Sequence, residues 1–284
     1  MSKVIATVSK TKEIMDKYGL HTKKRYGQNF LIEPSIVERI ANSIPKADKL
    51  LIVEIGPGIG ALTQQLAKVA DKVIAYEIDN ELIPVLTDTL NECNNVEVRN
   101  QDFLTVDFNK DFSPWSKEGY EIAIAANLPY YITTPILFHL FENGMGIRDI
   151  TVMMQKEVAD RFLASVSTKD YNALSVITQY RASSKMVMKV PKEVFIPRPK
   201  VESKVIRFTL IDEDTRIENK DKLFELVKIC FEQRRKTIVN NLSLMFPKEQ
   251  AQSYLEQADI LPTRRAETCT LEEFIKLYEV IYHD

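Results

Sequence analysis

The strongest structural signal in this sequence is LLIVEIGPGIG, residues 50–60. Its first six residues predict a buried strand, because a short apolar run that ends at a turn is typical of strands inside a parallel sheet. The three glycines predict a tight turn, since glycine adopts backbone angles that other residues avoid and lets the chain pass close to a ligand. A strand followed by such a turn and a helix begins a βαβ unit.

Apolar strands and helical segments alternate on the C-terminal side of this turn. The predicted helices span 61–69 and 80–90, a further helix starts at 155, and the predicted strands span 72–78, 96–98, 121–126 and 150–154. This alternation predicts an α/β fold with a doubly wound, mostly parallel, Rossmann-like sheet. Two later β-rich runs, 186–190 and 201–210, lie too close together for a full helix between them and predict an antiparallel edge.

An acidic stretch, residues 211–214, marks the expected end of this domain. After it, apolar residues recur at spacings of three and four, as on the buried face of a helix. They are Leu223, Leu226, Val227, Cys230 and Phe231, and then Leu271, Phe274, Ile275, Leu277 and Tyr278. We therefore expect one domain over 1–212, with a basic N-terminal segment, and a small helical C-terminal domain over 213–284.

Composition excludes several classes of protein. The 284 residues are 45% hydrophobic, which is enough for a buried core. The N-terminus lacks the apolar stretch of a secretory signal, and no segment approaches the roughly 20 apolar residues of a membrane span. The three cysteines are odd in number and far apart, so they suit neither a disulfide framework nor a zinc site. We expect a cytoplasmic monomer with no metal and no membrane partner.

The net charge of −2 is unusual for a protein that binds nucleic acid, but the basic residues are clustered. Residues 1–26, 181–207 and 234–236 each carry an excess of Lys and Arg. One such run is more often a solvated face. Three of them in a near-neutral chain are consistent with a surface that binds phosphates.

The glycine spacing indicates the class of ligand. Dinucleotide-binding folds prefer G-x-G-x-x-G, which points a helix N-terminus at a pyrophosphate. Here the pattern is G-x-G-x-G with Pro57, which removes a backbone donor and suits a ligand without phosphates, such as S-adenosylmethionine. The second strand ends in Tyr76-Glu77-Ile78-Asp79, where an acid is placed to hold both ribose hydroxyls, and the alternative is a surface carboxylate. Asp102 follows the third strand, where it is either an acceptor for the cofactor's adenine amine or an ordinary turn residue.

The fourth strand ends in Asn127-Leu128-Pro129-Tyr130-Tyr131, at the edge where open α/β sheets bind ligands. The exocyclic amine of adenine is a poor nucleophile, because its lone pair is delocalised into the ring. The Asn127 side-chain oxygen and the Leu128 carbonyl would accept its two hydrogens, and Pro129 restricts Leu128 to an extended conformation. Tyr130 offers a ring for stacking, and positioning would suffice without a strong general base. The alternative is a plain strand end with a turn.

In combination, these motifs resemble the ribosomal RNA adenine N6-dimethyltransferase family, and within it the small-subunit enzymes. The matching segments are Gly27 to Leu31, Glu54 to Gly60, Glu77, Asp102, Asn127 to Tyr130 with Ile132, Val152 to Ala159, Phe195 to Ser203 and Phe231 to Lys236. They cover nearly the whole chain, so the combination is highly specific.

The resemblance implies a donor, a site and a substrate. The implied methyl donor is S-adenosyl-L-methionine, bound by Asn29, Leu31, Gly56, Glu77, Asp102 and Asn127. Asn127, Leu128 and Tyr130 would act at the target base, with Phe195 facing Tyr130 across it. The implied substrate is a pair of adjacent adenosines in a 3′-terminal hairpin of 16S ribosomal RNA, methylated within the assembling 30S subunit.

Several alternatives remain open at this point. Phe195 suits a core position as well as a stacking position, and Arg234–Lys236, expected on a helix, suits a plain helix surface as well as an RNA contact. The sister enzymes that methylate an adenine of large-subunit RNA share the cofactor and reaction motifs. An RNA-binding factor without catalysis is a rival from another class, although Glu77 and Asn127 argue against lost chemistry. A nicotinamide-dependent oxidoreductase is disfavoured by the glycine spacing.

Overall fold

The computed structural model describes residues 4–20, 28–129, 132–144, 146–211 and 214–283. The strands are β1 (Phe30–Leu31), β2 (Leu50–Ile55), β3 (Lys72–Glu77), β4 (Val96–Asn100), β5 (Glu121–Asn127), β6 (Ile147–Gln155), β7 (Ala182–Val190), β8 (Phe195–Ile196) and β9 (Ser203–Leu210). The helices are α1 (Val8–Tyr18), α2 (Pro34–Asn42), α3 (Thr63–Leu66), α4 (Ile83–Thr89), α5 (Phe108–Lys117), α6 (Thr133–Asn143), α7 (Lys156–Phe162), α8 (Ala173–Arg181), α9 (Lys220–Cys230), α10 (Ile238–Leu242), α11 (Lys248–Gln257) and α12 (Leu271–Tyr282).

Seven strands form one sheet in the order β4-β3-β2-β5-β6-β9-β7. The first five pair in parallel, and β9 runs antiparallel to β6. Every residue of β2 is buried, as expected for a strand covered on both faces. The strand order reverses between β2 and β5, and in such sheets the carboxyl ends of the strands open a crevice there. The predicted doubly wound α/β sheet with an antiparallel strand is confirmed.

Local structure differs from the sequence-based expectation in several places. The helix expected over 61–69 is regular only at Thr63–Leu66 and continues as turns on either side. Helix α5 was not predicted from the sequence, because its internal Pro114 is typical of a helix break. Its N-cap residue, Asp107, stabilises the start of the helix by accepting from two backbone N–H groups. The basic residues 234–236 lie in a turn, since α9 already ends at Cys230, so their expected placement on a helix is wrong.

The chain divides into two compact units. One comprises Met1–Ala159 with Lys185–Leu210, and the other comprises Asp160–Ser184 with Ile211–Asp284. The change at 210/211 lies close to the predicted boundary at 212/213, but residues 160–184 also belong to the second unit. There the Tyr180 ring on α8 lies 5.8 Å from the Phe224 ring on α9. Such packing between distant segments leaves no signal in the composition of residues 160–184.

Two further properties concern the residues that the structure describes. None of their helices combines the length and the apolar character that crossing a bilayer requires. The three cysteines are free thiols, with Cys93 half-buried and Cys230 and Cys269 buried. Burial raises the pKa of the Cys269 thiol to about 11, so that this side chain stays a neutral part of the core at physiological pH.

Candidate active site

A cavity opens at the carboxyl edge of the sheet, bounded by the ends of β2, β3 and β5 and by the chain just before β1. Seven of the residues singled out in the sequence line it: Asn29, Leu31, Gly56, Glu77, Asp102, Asn127 and Leu128. Gly56, Glu77, Asp102, Asn127 and Leu128 come together because the parallel strands that precede them all end at this edge. Asn29 and Leu31 belong to the segment of β1, which pairs with β8 in a separate sheet. Their individual roles stay predictions.

The glycine turn shapes one wall of the cavity. Gly56 has φ +69°, and a Cβ built on it would meet no atom within 4 Å, so its bare backbone faces open space. Gly58 has φ +60°, and a Cβ there would lie 3.3 Å from the Phe30 Cε1 atom. The turn is tied to β3, because the Gly56 N–H donates to the Tyr76 carbonyl at 2.9 Å. Both glycines are therefore required by conformation, and a ligand can approach the Gly56 backbone closely.

Glu77 is held rigidly at the end of β3. Its Oε2 atom accepts from the Gly58 N–H at 3.3 Å and its Oε1 atom accepts from the Asp79 N–H at 2.9 Å. The residue is only 5% exposed, and burial raises the pKa of its carboxyl. The two backbone donors act against that shift by stabilising the carboxylate. Glu77 thus presents a preoriented acid beside the glycine turn, as a ribose-binding residue requires.

Glu54 is a cavity residue that the sequence-based assignment missed. It is 1% exposed, and its Oε2 atom has no hydrogen-bond partner among the described residues. Burial raises the pKa of Glu54 to about 8, and the nearby charge of Glu77 adds to this shift. A buried acceptor without a partner is costly unless a ligand satisfies it. The available signal was an acid in the middle of an otherwise apolar strand.

The cavity is acidic. Glu54, Glu77 and Asp102 line it, and none of the lining residues that the structure describes is Lys, Arg or His. Such a lining favours a cation and repels phosphates. S-adenosylmethionine carries a sulfonium, an ammonium, one carboxylate and no phosphate, so its net charge is positive. The acidic lining therefore fits this cofactor and disfavours a dinucleotide.

The end of β5 orients the predicted reaction residues. The Asn127 Nδ2 atom donates to the Asn29 carbonyl at 3.2 Å, which directs the amide oxygen of Asn127 elsewhere as an acceptor. The Leu128 N–H donates to the Met153 carbonyl at 3.2 Å. The Pro129 carbonyl then accepts from Ile132 N–H at 3.1 Å, which forms the turn into α6. Tyr130 and Tyr131 lie outside the described residues, so the predicted stacking by Tyr130 stays a prediction.

Phe195 is placed differently from the expected stacking position. It is 3% exposed, belongs to the hydrophobic core of the first unit and does not line the cavity. Its backbone pairs with Leu31 in the two-stranded sheet of β1 and β8. The structure therefore favours the core interpretation, because the Phe195 side chain belongs to the same apolar cluster as Phe30 and Leu31 of the paired strand. Phe195 instead supports the segment that carries Asn29 and Leu31.

The basic runs contain both exposed and structural cations. Arg181 is 4% exposed, and the Arg207 Nη1 atom donates to the Ser43 carbonyl at 3.0 Å. Arg181 is therefore a correction to the expected surface set, because it is buried within its unit. Arg207 is half-buried and bonded to the backbone of its own unit. Lys185, Lys189 and Lys200 are exposed. In the second unit, Arg234 pairs with Glu267 at 3.2 Å, whereas Arg235 and Lys236 are exposed and have no ion pair among the described residues.

Comparison with known sequences gives consistent matches over the whole length. The family model described as "Ribosomal RNA adenine dimethylase" matches residues 19–283. The chain is 46% identical to the ribosomal RNA small subunit methyltransferase A of Anoxybacillus flavithermus, covering 99% of this chain and 98% of that protein. It is also 46% identical to the protein of the same name from Enterococcus faecalis, covering 97% and 95%.

Solved structures agree with these matches. A dimethyladenosine transferase from Plasmodium falciparum superposes with a TM-score of 0.73 at 27% identity, covering 87% of this chain and 95% of that one. The 23S rRNA methyltransferase ErmE superposes with a TM-score of 0.66 at 28% identity, covering 88% and 98%. The likeness extends over most of each chain and is not limited to the seven-stranded sheet.

Proposed function

This chain belongs to the ribosomal RNA adenine dimethylase family, which confirms the resemblance found in its motifs, and from that membership we propose its specific reaction. It is a ribosomal RNA methyltransferase that acts on adenine. We propose that it transfers methyl groups from S-adenosylmethionine to the N6 amines of two adjacent adenosines in a 3′-terminal hairpin of 16S ribosomal RNA. The small-subunit assignment rests on the relatives, which carry that name at about 45% identity.

The donor site is supported by the chemistry of the cavity. Glu77 would accept from the ribose hydroxyls, and Asp102 would accept from the adenine amine of the cofactor. The buried Glu54 lies in the wall of the cavity, where a cationic cofactor would lower the pKa of its carboxyl and favour the ionised form. The open face of Gly56 lets the ligand lie against the backbone. Asn29 and Leu31 line the same cavity and would complete the cofactor site.

The acceptor side depends on two oxygens at the end of β5. When bound, S-adenosylmethionine supplies an electrophilic methyl group on its sulfonium. The Asn127 Oδ1 atom and the Leu128 carbonyl would each accept one N6 hydrogen of the target adenine. Two acceptors on one nitrogen favour a pyramidal amine, whose lone pair would then accept the methyl group, with S-adenosylhomocysteine as the leaving group and one N6 proton released to solvent. In the second transfer the methylated amine keeps one N–H, which one of the two oxygens would accept. The residues thus act by positioning and hydrogen bonding, which removes much of the entropic part of the barrier.

One observation carries this proposal above the others. The Asn127 side chain is oriented by its hydrogen bond to Asn29, a residue of the expected cofactor wall. The residue that would bind the target amine is therefore coupled to the residue that would bind the donor. A strand end that served only as a turn would have no need of this link.

The RNA would meet the exposed basic residues. Within the basic runs 181–207 and 234–236, five exposed cations carry no ion pair among the described residues: Lys185, Lys189, Lys200, Arg235 and Lys236. We propose that they contact phosphates of the assembling 30S subunit and that the enzyme acts in the cytoplasm as a monomer. Phosphate contacts of this kind position a nucleic acid without reading its sequence.

Incubation with methyl-labelled S-adenosylmethionine tests the proposal. Small subunits that lack the modification and large subunits are offered in parallel, and the labelled nucleotides are mapped. Label on adjacent adenosines of the small-subunit RNA is expected. Label on the large subunit alone would instead indicate a 23S rRNA methyltransferase like ErmE.

A further inference from the structure

Residues 28–32 form a short segment, here called the strap, that crosses one side of the cavity. Its middle is paired with β8 through Phe30 and Leu31, and the Ile32 N–H donates to the Val194 carbonyl at 2.9 Å. The Asn29 carbonyl accepts from Asn127 at 3.2 Å. Residues 28–31 all line the cavity, so the position of the strap sets the shape of one of its walls.

The N-terminal end of the strap has an attachment of its own. The Gln28 Nε2 atom donates to the Asp79 Oδ2 atom at 3.0 Å. Asp79 is 5% exposed and lies two residues beyond the end of β3. Because its carboxylate is nearly buried, this charge-assisted bond is shielded from competing water. The bond joins the strap to the strand end that carries Glu77.

Two other hydrogen bonds to described residues help to define the position of Asp79. Its N–H donates to the Glu77 Oε1 atom at 2.9 Å, and its Oδ1 atom accepts from the Glu81 N–H at 3.2 Å. The second contact caps the short helical turn Asn80–Leu82. One oxygen of Asp79 therefore serves local structure, whereas the other reaches a residue 51 positions away in the chain.

We propose that Asp79 is a positioning residue of the methyl-transfer reaction, which holds the strap against the cofactor cavity through Gln28. This inference rests on the proposed function, because the strap matters only if the cavity holds S-adenosylmethionine. The hydrogen bond preorganises the wall that carries Asn29 and Leu31. Without it, cofactor binding has to order the start of the strap, and the affinity falls accordingly.

Three substitutions separate the strap contact from the local role of Asp79. Asp79→Ser keeps an oxygen that caps the turn but is too short to reach Gln28. Gln28→Met keeps the length of the side chain and removes the donor, with no change at the turn. Asp79→Asn keeps both contacts, since the Gln28 amide can rotate and accept from the new amide nitrogen. Asp48→Ser is the matched control, an exposed acid before the amino end of β2.

The measurements are the Kd of S-adenosylmethionine by calorimetry, the KM and kcat of methyl transfer, and the Tm. Asp79→Ser and Gln28→Met should each raise Kd and KM about tenfold, as expected for one hydrogen bond to a charged group, with kcat at saturating cofactor nearly unchanged. The double variant should be no weaker than either single one, because both remove the same bond. Asp79→Asn keeps a neutral hydrogen bond and should therefore bind more weakly than the wild type but more tightly than Asp79→Ser. Asp48→Ser should bind like the wild type.

The outcomes distinguish this inference from the proposed function. If Asp79→Ser weakens binding while Gln28→Met does not, Asp79 acts only through Glu77 or the turn, and the inference is wrong. Additive losses in the double variant would contradict it as well. If the wild-type protein binds S-adenosylmethionine and all variants bind equally, the inference fails alone. If the wild-type protein does not bind it, the proposed function fails, and the inference with it.

Discussion

The side-chain amide of Asn127 donates to the backbone carbonyl of Asn29 across 3.2 Å. This hydrogen bond connects the carboxyl end of β5 with the segment before β1, 98 positions away in the chain. It holds the Asn127 amide in one orientation, in which the oxygen is the acceptor. In our account, the donor and acceptor halves of the site are therefore aligned by the protein before either substrate arrives, as preorganised catalysis requires.

Glu77→Ala should weaken cofactor binding. The loss removes charge-assisted hydrogen bonds to the ribose and leaves the N–H groups of Gly58 and Asp79 without their acceptor. Such bonds contribute about 1.5–3 kcal/mol, which corresponds to roughly ten- to a hundredfold in Kd. Calorimetry with S-adenosylmethionine measures this, with Glu77→Gln as the variant that keeps one acceptor oxygen. Unchanged affinity in a folded Glu77→Ala protein would mean that the ribose is held by other residues.

Glu54→Gln should alter how stability depends on pH. Burial raises the pKa of Glu54 to about 8, whereas an unfolded Glu titrates at about 4.3. Between these values the folded protein holds a proton that the unfolded chain has released, so the free energy of unfolding falls as pH rises through this window. A glutamine side chain does not titrate, so it contributes no such loss of unfolding free energy at high pH. The cofactor-free variant should therefore gain stability relative to the wild type from pH 5 to pH 9.

Urea unfolding of both proteins at pH 5, 7 and 9 measures that difference. Glu118→Gln, at an exposed acid, is the control and should give the same difference from the wild type at every pH. If Glu54→Gln also shows a constant difference, the Glu54 carboxyl titrates like an exposed one and the cavity is less desolvated than the structure indicates.

Phe195→Ala should destabilise the first unit. A ring that is 3% exposed in the core leaves a cavity when truncated, at a cost of about 3–5 kcal/mol of unfolding free energy. Because Phe195 pairs with Leu31, cofactor affinity should fall as well. Chemical denaturation and calorimetry on the same protein measure both effects. A normal Tm with a reduced transfer rate would restore the stacking interpretation.

Charge reversal at Arg235 and Lys236 should weaken binding to the small subunit. Both side chains are exposed. Each phosphate contact that is lost should make the plot of log association constant against log salt concentration less steep by about one unit. Cofactor affinity should stay the same, since neither residue lines the cavity. Lys248→Glu, at an exposed lysine in the same unit, is the matched control. If the wild type, the charge-reversal variant and Lys248→Glu bind the small subunit with equal affinity, Arg235 and Lys236 belong to a solvated surface and do not contact RNA.

The sequence predicted the sheet and most of the cavity, because both depend on local patterns. The apolar run 50–55 and the glycine turn after it specify a central strand and its ligand-binding end. Glu77, Asp102 and Asn127 follow successive strands, and parallel strands necessarily bring their carboxyl ends to one edge. For these residues, spacing along the chain was sufficient.

Other features depend on packing between distant segments and could not be obtained this way. The burial of Phe195 follows from its pairing with β1, which is a contact over more than 160 residues. The bond from Gln28 to Asp79 likewise has no local signature. The turn at residues 234–236 differs from the expected helix because α9 ends early, although the charges along this segment suit a helix surface.

Methyl transfer by the wild type and by Asn127→Ala tests the central claim most directly. Small subunits lacking the modification are incubated with labelled S-adenosylmethionine, and the modified nucleotides are mapped by mass. The account predicts methylated N6 amines on two adjacent adenosines near the 3′ end of 16S ribosomal RNA. It also predicts that methyl transfer by Asn127→Ala is about 10²–10³-fold slower, the loss typical of removing one preorganised hydrogen-bonding side chain from an enzyme active site. Methylation at another position, or an undiminished rate in the Asn127→Ala protein, would contradict it.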